Sequence, residues 1–230
     1  MIKEIDCRPF AEGTLVEVKR RIAKKGRKPR LCIAGKVSEL TDGDLQYING
    51  IRKYADEIGV DIVPPFYNSY IDGAVYVGKS WKKANFLAKD IDHVSQNGSF
   101  MCVTEAVFRI LRRELTCVDG LNALVIGRGK VGQQISGMLI RDNATVTIAH
   151  SYTDSESLRW YVHSADIIVI AGASGLTIEP YATDEKTPIV IDLTGGNFVK
   201  HAGFSDVLVV KHIGCLTRAI LMDRLVDMME

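Results

Sequence analysis

The chain has 230 residues, 47% hydrophobic and 25% charged, with 29 Lys and Arg against 28 Asp and Glu. A net charge of +1 lacks the basic excess of a nucleic-acid binder, and no uninterrupted apolar run approaches the roughly 20 residues that cross a bilayer. The start, Met1-Ile-Lys-Glu-Ile-Asp6, has no apolar signal core, and Cys7, Cys32, Cys102, Cys117 and Cys215 form no Cys-x-x-Cys pair. Reduced thiols, a cytoplasmic setting and no metal site are therefore expected.

A helix is expected from about Pro9 to Lys25, with Leu15, Val18 and Ile22 on one face and Gly26 as its stop. Its end carries a basic run, Lys19 to Arg30, which reads as a solvated helix terminus whose cations suit the C-terminal dipole. Leu31 to Ala34 reads as a buried strand, and a helix capped by Asp42 or Asp44 follows to about Ile58, with Gly59 ending it. Val60 to Val63 is a second strand, halted by Pro64 and Pro65, and Gly73 to Val77 a third. Helices are expected at Lys79–Ala88 and at Cys102–Leu115.

From Ala123 the pattern becomes more specific. An apolar strand to Ile126 runs into Gly127-x-Gly129-x-x-Gly132, then a helix from Val131 to about Arg141, then a strand from Ala144 to Ala149. In such a unit the first glycine makes the tight turn and the second admits a pyrophosphate. The third lets the helix pack on the strand, and the helix N-terminus faces the negative charge. An acid commonly ends the second strand and holds the ribose hydroxyls. Here the strand ends Ala149-His150-Ser151, with no acid. That choice, with Arg128 in the turn to pair with a 2′-phosphate, favours NADP over NAD. Arg128 also fits a plain exposed turn, and His150 a plain strand end. Lys130 at the helix start opposes the dipole unless an anion is near. A helix (Ser155–His163), strands (Asp166–Ala171, Ile189–Leu193, Val207–Val210) and a final helix (about Leu216–Met229) complete the chain. Alternation of strands and helices predicts an α/β fold with mostly parallel sheets.

Several short motifs, in order, resemble the methylenetetrahydrofolate dehydrogenase/cyclohydrolase family. They are Tyr47-Ile-Asn with Lys53 to Gly59, Lys89-Asp-Ile-Asp92, Asn97-Gly98, the glycine turn with Val131, Asn143 to Ser151, Ala165-Asp-Ile167, Val190-Ile-Asp192 and Gly214-x-x-Thr217. The resemblance implies two α/β domains: residues 1–115 on the folate side, with 216–230 packing back on it, and a Rossmann domain over 116–215. It also implies a homodimer acting on a small-molecule tetrahydrofolate, with Tyr47 and Asp92 positioning the substrate. NADP would be held by Gly127, Arg128, Gly129, Lys130, Val131, Gly132, His150, Ser151 and Thr217.

The chain departs from that pattern at the family's catalytic lysine. Four residues after Tyr47 stands Ile51, and a step to Arg52 or Lys53 turns a side chain by about 100–200° on a helix. The loops at Val75–Lys79, Met101–Thr104 and Lys211–Cys215 are also altered, and His93 follows Asp92 where the family has glycine. Hydrolysis needs a positioned acid–base group, which isoleucine is not. Hydride loss from a carbon between two nitrogens mainly needs alignment. The expectation is an NADP-dependent dehydrogenase without cyclohydrolase activity. An oxidoreductase for another substrate and a non-catalytic folate- or nucleotide-binding homologue stay open. His93 and His212 are candidate replacement acid–base groups.

Overall fold

The computed structural model describes residues 1–64, 70–79, 89–93, 99–172, 187–194, 204 and 206–229. The helix expected at Lys79–Ala88 and the Asn97-Gly98 loop lie outside them, apart from Lys79. The chain divides into two units, each built from separated stretches: residues 1–7 with 107–213, and residues 8–106 with 214–230.

The first unit is a six-stranded parallel sheet. Its strands are β1 (Ile2–Asp6), β5 (Asn122–Ile126), β6 (Thr145–Ala149), β7 (Ile167–Ile170), β8 (Ile189–Asp192) and β9 (Val207–Lys211). They lie side by side in the order β1-β9-β8-β7-β5-β6. Helices α4 (Lys130–Arg141) and α5 (Ser155–Ser164) make the crossovers around β6. The run Ile167–Ile170 is buried along its whole length, as a strand covered on both faces requires. Leu124, Ile126, Ile168, Ile170, Val190 and Val207 pack with Leu158 and Val162 of α5 in one core cluster. β1 was not foreseen. It pairs in parallel with β9, from Ile2 opposite Val207 to Asp6 opposite Lys211. The N-terminal seven residues thus belong with the six-stranded sheet, whereas the resemblance had grouped them with residues 8–115.

The second unit carries a smaller parallel sheet, ordered β3-β2-β4, from β2 (Arg30–Gly35), β3 (Asp61–Val63) and β4 (Gly73–Val77). Helices α1 (Arg8–Lys25) and α2 (Asp42–Ile58) belong to it, as do the start of α3 (Cys102–Glu114) and nearly all of α6 (Ile213–Asp227). α2 begins at a capping box in which Thr41 is the N-cap and Asp44 the reciprocal partner, so the cap lies one residue ahead of Asp42 and three ahead of Asp44, the two residues expected. It ends on Gly59 in the left-handed conformation. Lys19, Arg20, Lys24, Lys25 and Lys28 of the basic run are exposed, as expected, but two of its arginines are engaged. Arg21 pairs with Asp223 and Asp227 of α6, and Arg27 holds the fully buried Asp72 at 2.7 Å.

Candidate functional site

β5 is flanked by β6 on one side and β7 on the other. The chain reverses its direction of strand addition there, and in such sheets nucleotides bind beyond the C-terminal ends of the strands at this switch point. The glycine turn stands at that point, and each glycine meets a different constraint. Gly127 has φ +115°, and a Cβ on it would lie 2.8 Å from the Gly172 nitrogen after β7. A Cβ on Gly132 would lie 2.0 Å from the Gly127 carbonyl oxygen, so α4 approaches the turn more closely than any side chain allows. Gly129, the N-cap of α4, has no described atom within 4 Å of where its Cβ would be. Two glycines are thus enforced by packing, and the third faces open space at a helix N-terminus, which suits a bound pyrophosphate.

The sequence-predicted residues of this turn come together. Arg128 is exposed, and its guanidinium stands 5.8 Å from the ring centre of Tyr152. His150 lies edge-on to the same ring, and its Nδ1 accepts the Tyr152 amide at 3.2 Å. Thr153 closes this small turn by accepting the His150 amide at 2.9 Å. Ser151 is exposed beside them, while Lys130 and Val131, in the first turn of α4, are half-buried. Tyr152, 83% exposed, went unnoticed in the sequence. Only its position directly after the His-Ser pair signalled it. Thr217 sits apart from this constellation in the chain, buried on α6 in the second unit.

The second unit gathers its own polar cluster. The Tyr47 hydroxyl on α2 donates to Asp92 Oδ2 at 3.0 Å, and the Cys102 amide at the start of α3 donates to Oδ1 at 3.1 Å. Burial pushes the Asp92 carboxyl above the usual range, and burial with the neighbouring Asp92 charge pushes the Tyr47 phenol well up. Tyr47 is therefore a fixed neutral donor. Ile51 is fully buried, in line with Ile48, Ala55 and Ile58 on the core face of α2. His93 adopts φ +53°, and its Nδ1 is buried without a partner among the described residues. Burial, aided by the charge of Arg224, lowers its pKa, so it is neutral at pH 7. His212, at φ +59°, is exposed. Among the described residues no group of His, Cys, Asp and Glu suits a metal ion, and no helix is long and apolar enough to cross a membrane.

Residues 101–230 match the family described as tetrahydrofolate dehydrogenase/cyclohydrolase, NAD(P)-binding domain. Over 117 residues the chain is 38% identical to bifunctional protein FolD 1 of Desulfitobacterium hafniense, a stretch covering 46% of this chain and 41% of that protein. Over 150 residues it is 34% identical to bifunctional protein FolD of Clostridium botulinum, covering 58% and 51% respectively. The chain spans about half the length of these curated relatives. A methylenetetrahydrofolate dehydrogenase from the silkworm Bombyx mori shares the fold with a TM-score of 0.77 at 22% identity, over 99% of this chain and 98% of that one. A Trypanosoma brucei dehydrogenase-cyclohydrolase complexed with NADP and an inhibitor does so with a TM-score of 0.76 at 20% identity, over 97% and 96%. The two structures speak to the fold alone. The match over residues 101–230, more than half of the chain and including the glycine turn, shows that it belongs to the tetrahydrofolate dehydrogenase/cyclohydrolase family.

Proposed function

We propose that the chain oxidises 5,10-methylenetetrahydrofolate to the methenyl form with NADP and lacks cyclohydrolase activity. The observation that carries this reading is the contrast on α2: Tyr47 is held to Asp92, while Ile51 is turned wholly into the core. The nucleotide side is assigned to the six-stranded unit and the folate side to the other. The reading extends to a homodimer in the cytoplasm.

When bound, the nicotinamide ring supplies the hydride acceptor. The chain's residues then have positioning work. Gly127 and Gly132 bring the turn and helix α4 together, and the open face at Gly129 admits the pyrophosphate to the amides at the start of α4. Arg128, His150 and Ser151 present donors to a ribose phosphate, and no carboxylate at the end of β6 repels it. On the folate side, Asp92 offers an acceptor to ring N–H groups and Tyr47 offers an aromatic face. The two nitrogens flanking the reacting carbon stabilise the cation that forms, so the oxidation asks the protein for alignment more than for proton transfer. Hydrolysis of the methenyl product asks for a group that moves protons, and Ile51 has none to move.

The test is a spectrophotometric assay of purified protein with methylenetetrahydrofolate and each nicotinamide cofactor. Reduction of NADP is expected, with methenyltetrahydrofolate hydrolysed no faster than it is spontaneously. Arg128→Ala is expected to raise KM for NADP by about tenfold or more, the size of a charged hydrogen bond, and to leave KM for NAD nearly unchanged. Absence of reduction with either cofactor sinks the dehydrogenase, and hydrolysis well above the spontaneous rate sinks the second half of the proposal.

A further inference from the structure

Tyr47, Gly50 and Tyr54 recur at intervals of three and four residues on α2, which lines them up along one stripe of the helix. The stripe has a gap in the middle, because Gly50 has no side chain. That gap is filled from elsewhere in the same unit. A Cβ on Gly50 would lie 2.5 Å from Arg218 Nε, and 2.7 Å from both Cδ and Cζ. The guanidinium of Arg218, on α6, therefore rests directly on the bare backbone of α2, with its Cζ 5.7 Å from the Tyr54 ring centre. Its charge acts on both tyrosines, opposing the upward pull of burial on Tyr47 and Tyr54.

This cation is poorly satisfied. A guanidinium carries five donors, and a half-buried one usually meets a carboxylate or several carbonyls. Among the described residues, the partner of Arg218 is the Cys215 sulfur, a weak acceptor, at 3.6 Å from Nη2. Nε is buried with no hydrogen-bond partner among the described residues. Neighbouring arginines of the same unit do find acids: Arg224 holds Glu105 at 2.6 Å, and Arg21 holds Asp223 at 2.6 Å. Arg218 is thus a fixed charge placed beside the Tyr47–Asp92 pair and, among the described residues, left without an anion.

We propose that Arg218 is the cation that holds the substrate in this unit, its guanidinium seated over Gly50 and donating to a carbonyl or carboxylate oxygen of the ligand. The assignment rests on the folate reading for the identity of that ligand. It also accounts for a site that has isoleucine on α2: the positive charge arrives from α6 instead, on a planar guanidinium whose forked donors suit an oxygen of the ligand. Gly50 becomes a specificity residue, since any side chain there displaces the arginine.

Calorimetric titration of the full chain and of Arg218→Ala, Arg218→Lys and Gly50→Ala tests this, with melting curves to verify that each variant folds. Three ligands are used: tetrahydrofolate, a tetrahydropterin without the tail, and aminobenzoylglutamate, the tail alone. Arg218→Ala is expected to weaken tetrahydrofolate by about tenfold or more. Gly50→Ala, which keeps the charge and only moves it, is expected to weaken it comparably, with NADP affinity unchanged in both. Loss confined to the tetrahydropterin places the oxygen on the ring, and loss confined to aminobenzoylglutamate places it on the tail. Tetrahydrofolate that fails to bind the unaltered chain removes the folate reading, and the tail fragment then judges the arginine alone. Arg218→Ala binding as the unaltered chain does, or an unaltered chain that binds none of the three, overturns the proposal.

Discussion

Asp92 is 7% exposed and takes one hydrogen bond from a phenol and one from a backbone amide. Those two donors favour its charged form, but burial outweighs them and its pKa is raised above the usual 3.8. A raised carboxyl pKa means that the folded state holds the proton more tightly than the unfolded chain does. The stabilisation is complete below pH 3.8 and is lost as pH rises through the folded value, each unit of separation being worth about 1.4 kcal/mol. Asp92→Asn keeps both partners, accepting from Cys102 and donating to the Tyr47 oxygen, and does not titrate. Urea unfolding at pH 4 and pH 7 is expected to show the variant gaining stability relative to the unaltered chain as pH rises. A difference independent of pH defeats the argument. Asp92 and Tyr47 were legible only through the family resemblance, because their bond joins residues 45 apart. Arg218 was not legible at all. On its own helix it is one cation among apolar neighbours, and only the contact with Gly50 gives it meaning.

Helices and strands were more readable than the contacts between side chains. The strand–turn–helix from Asn122 to Arg141 follows the apolar runs and glycines closely, since a parallel strand buried on both faces has no polar alternation to obscure it. Thr41 escaped notice as the cap of α2 because Asp42 and Asp44 follow it and are equally good caps by type. The glycine motif itself reads as three equivalent letters, but the folded turn separates them. Gly132→Ala drives a methyl into the Gly127 carbonyl, which is backbone and cannot swing away. Helix α4 must shift, at about 1–3 kcal/mol, which lowers Tm by about 2–4 °C per kcal/mol for a chain of this size. Gly129→Ala meets open space, so its Tm is expected to stay within about 2 °C while NADP affinity falls. Differential scanning calorimetry with and without NADP separates the two. Equal destabilisation by both variants contradicts these roles for the glycines.

Both units are assembled from distant stretches of chain, and this organisation was only partly legible. The return of the last helix to the early residues was expected from the family resemblance, and nearly all of α6 falls in the same unit as residues 8–106. β1 was missed because Ile2-Lys-Glu-Ile-Asp6 mixes charge with hydrophobicity and buries only Ile5 among its residues, as an edge strand can. The second unit depends on α6 more heavily than its position at the end of the chain suggests. Leu216, Ile220, Leu221, Met222, Leu225 and Val226 are all at most 2% exposed. Leu225 packs so tightly on β4 that a Cβ on Gly73 would lie 2.9 Å from its Cδ1. Arg224 donates to the Ile91 carbonyl at 3.2 Å, and Lys25 donates to the Met229 carbonyl at 2.5 Å. At about 2 kcal/mol for each buried aliphatic side chain, the gross contribution of α6 is comparable to the whole stability of a domain. A chain ended at residue 213 is therefore expected to lose the fold of residues 8–106 while keeping the six-stranded sheet, whose strands all lie before that point. Hydrogen exchange read by mass spectrometry resolves the two outcomes. Protection is expected to vanish from β2, β4 and α2 and to persist in β5, β7 and β8. Protection retained in β2 and β4 after truncation would show that the small sheet folds without α6.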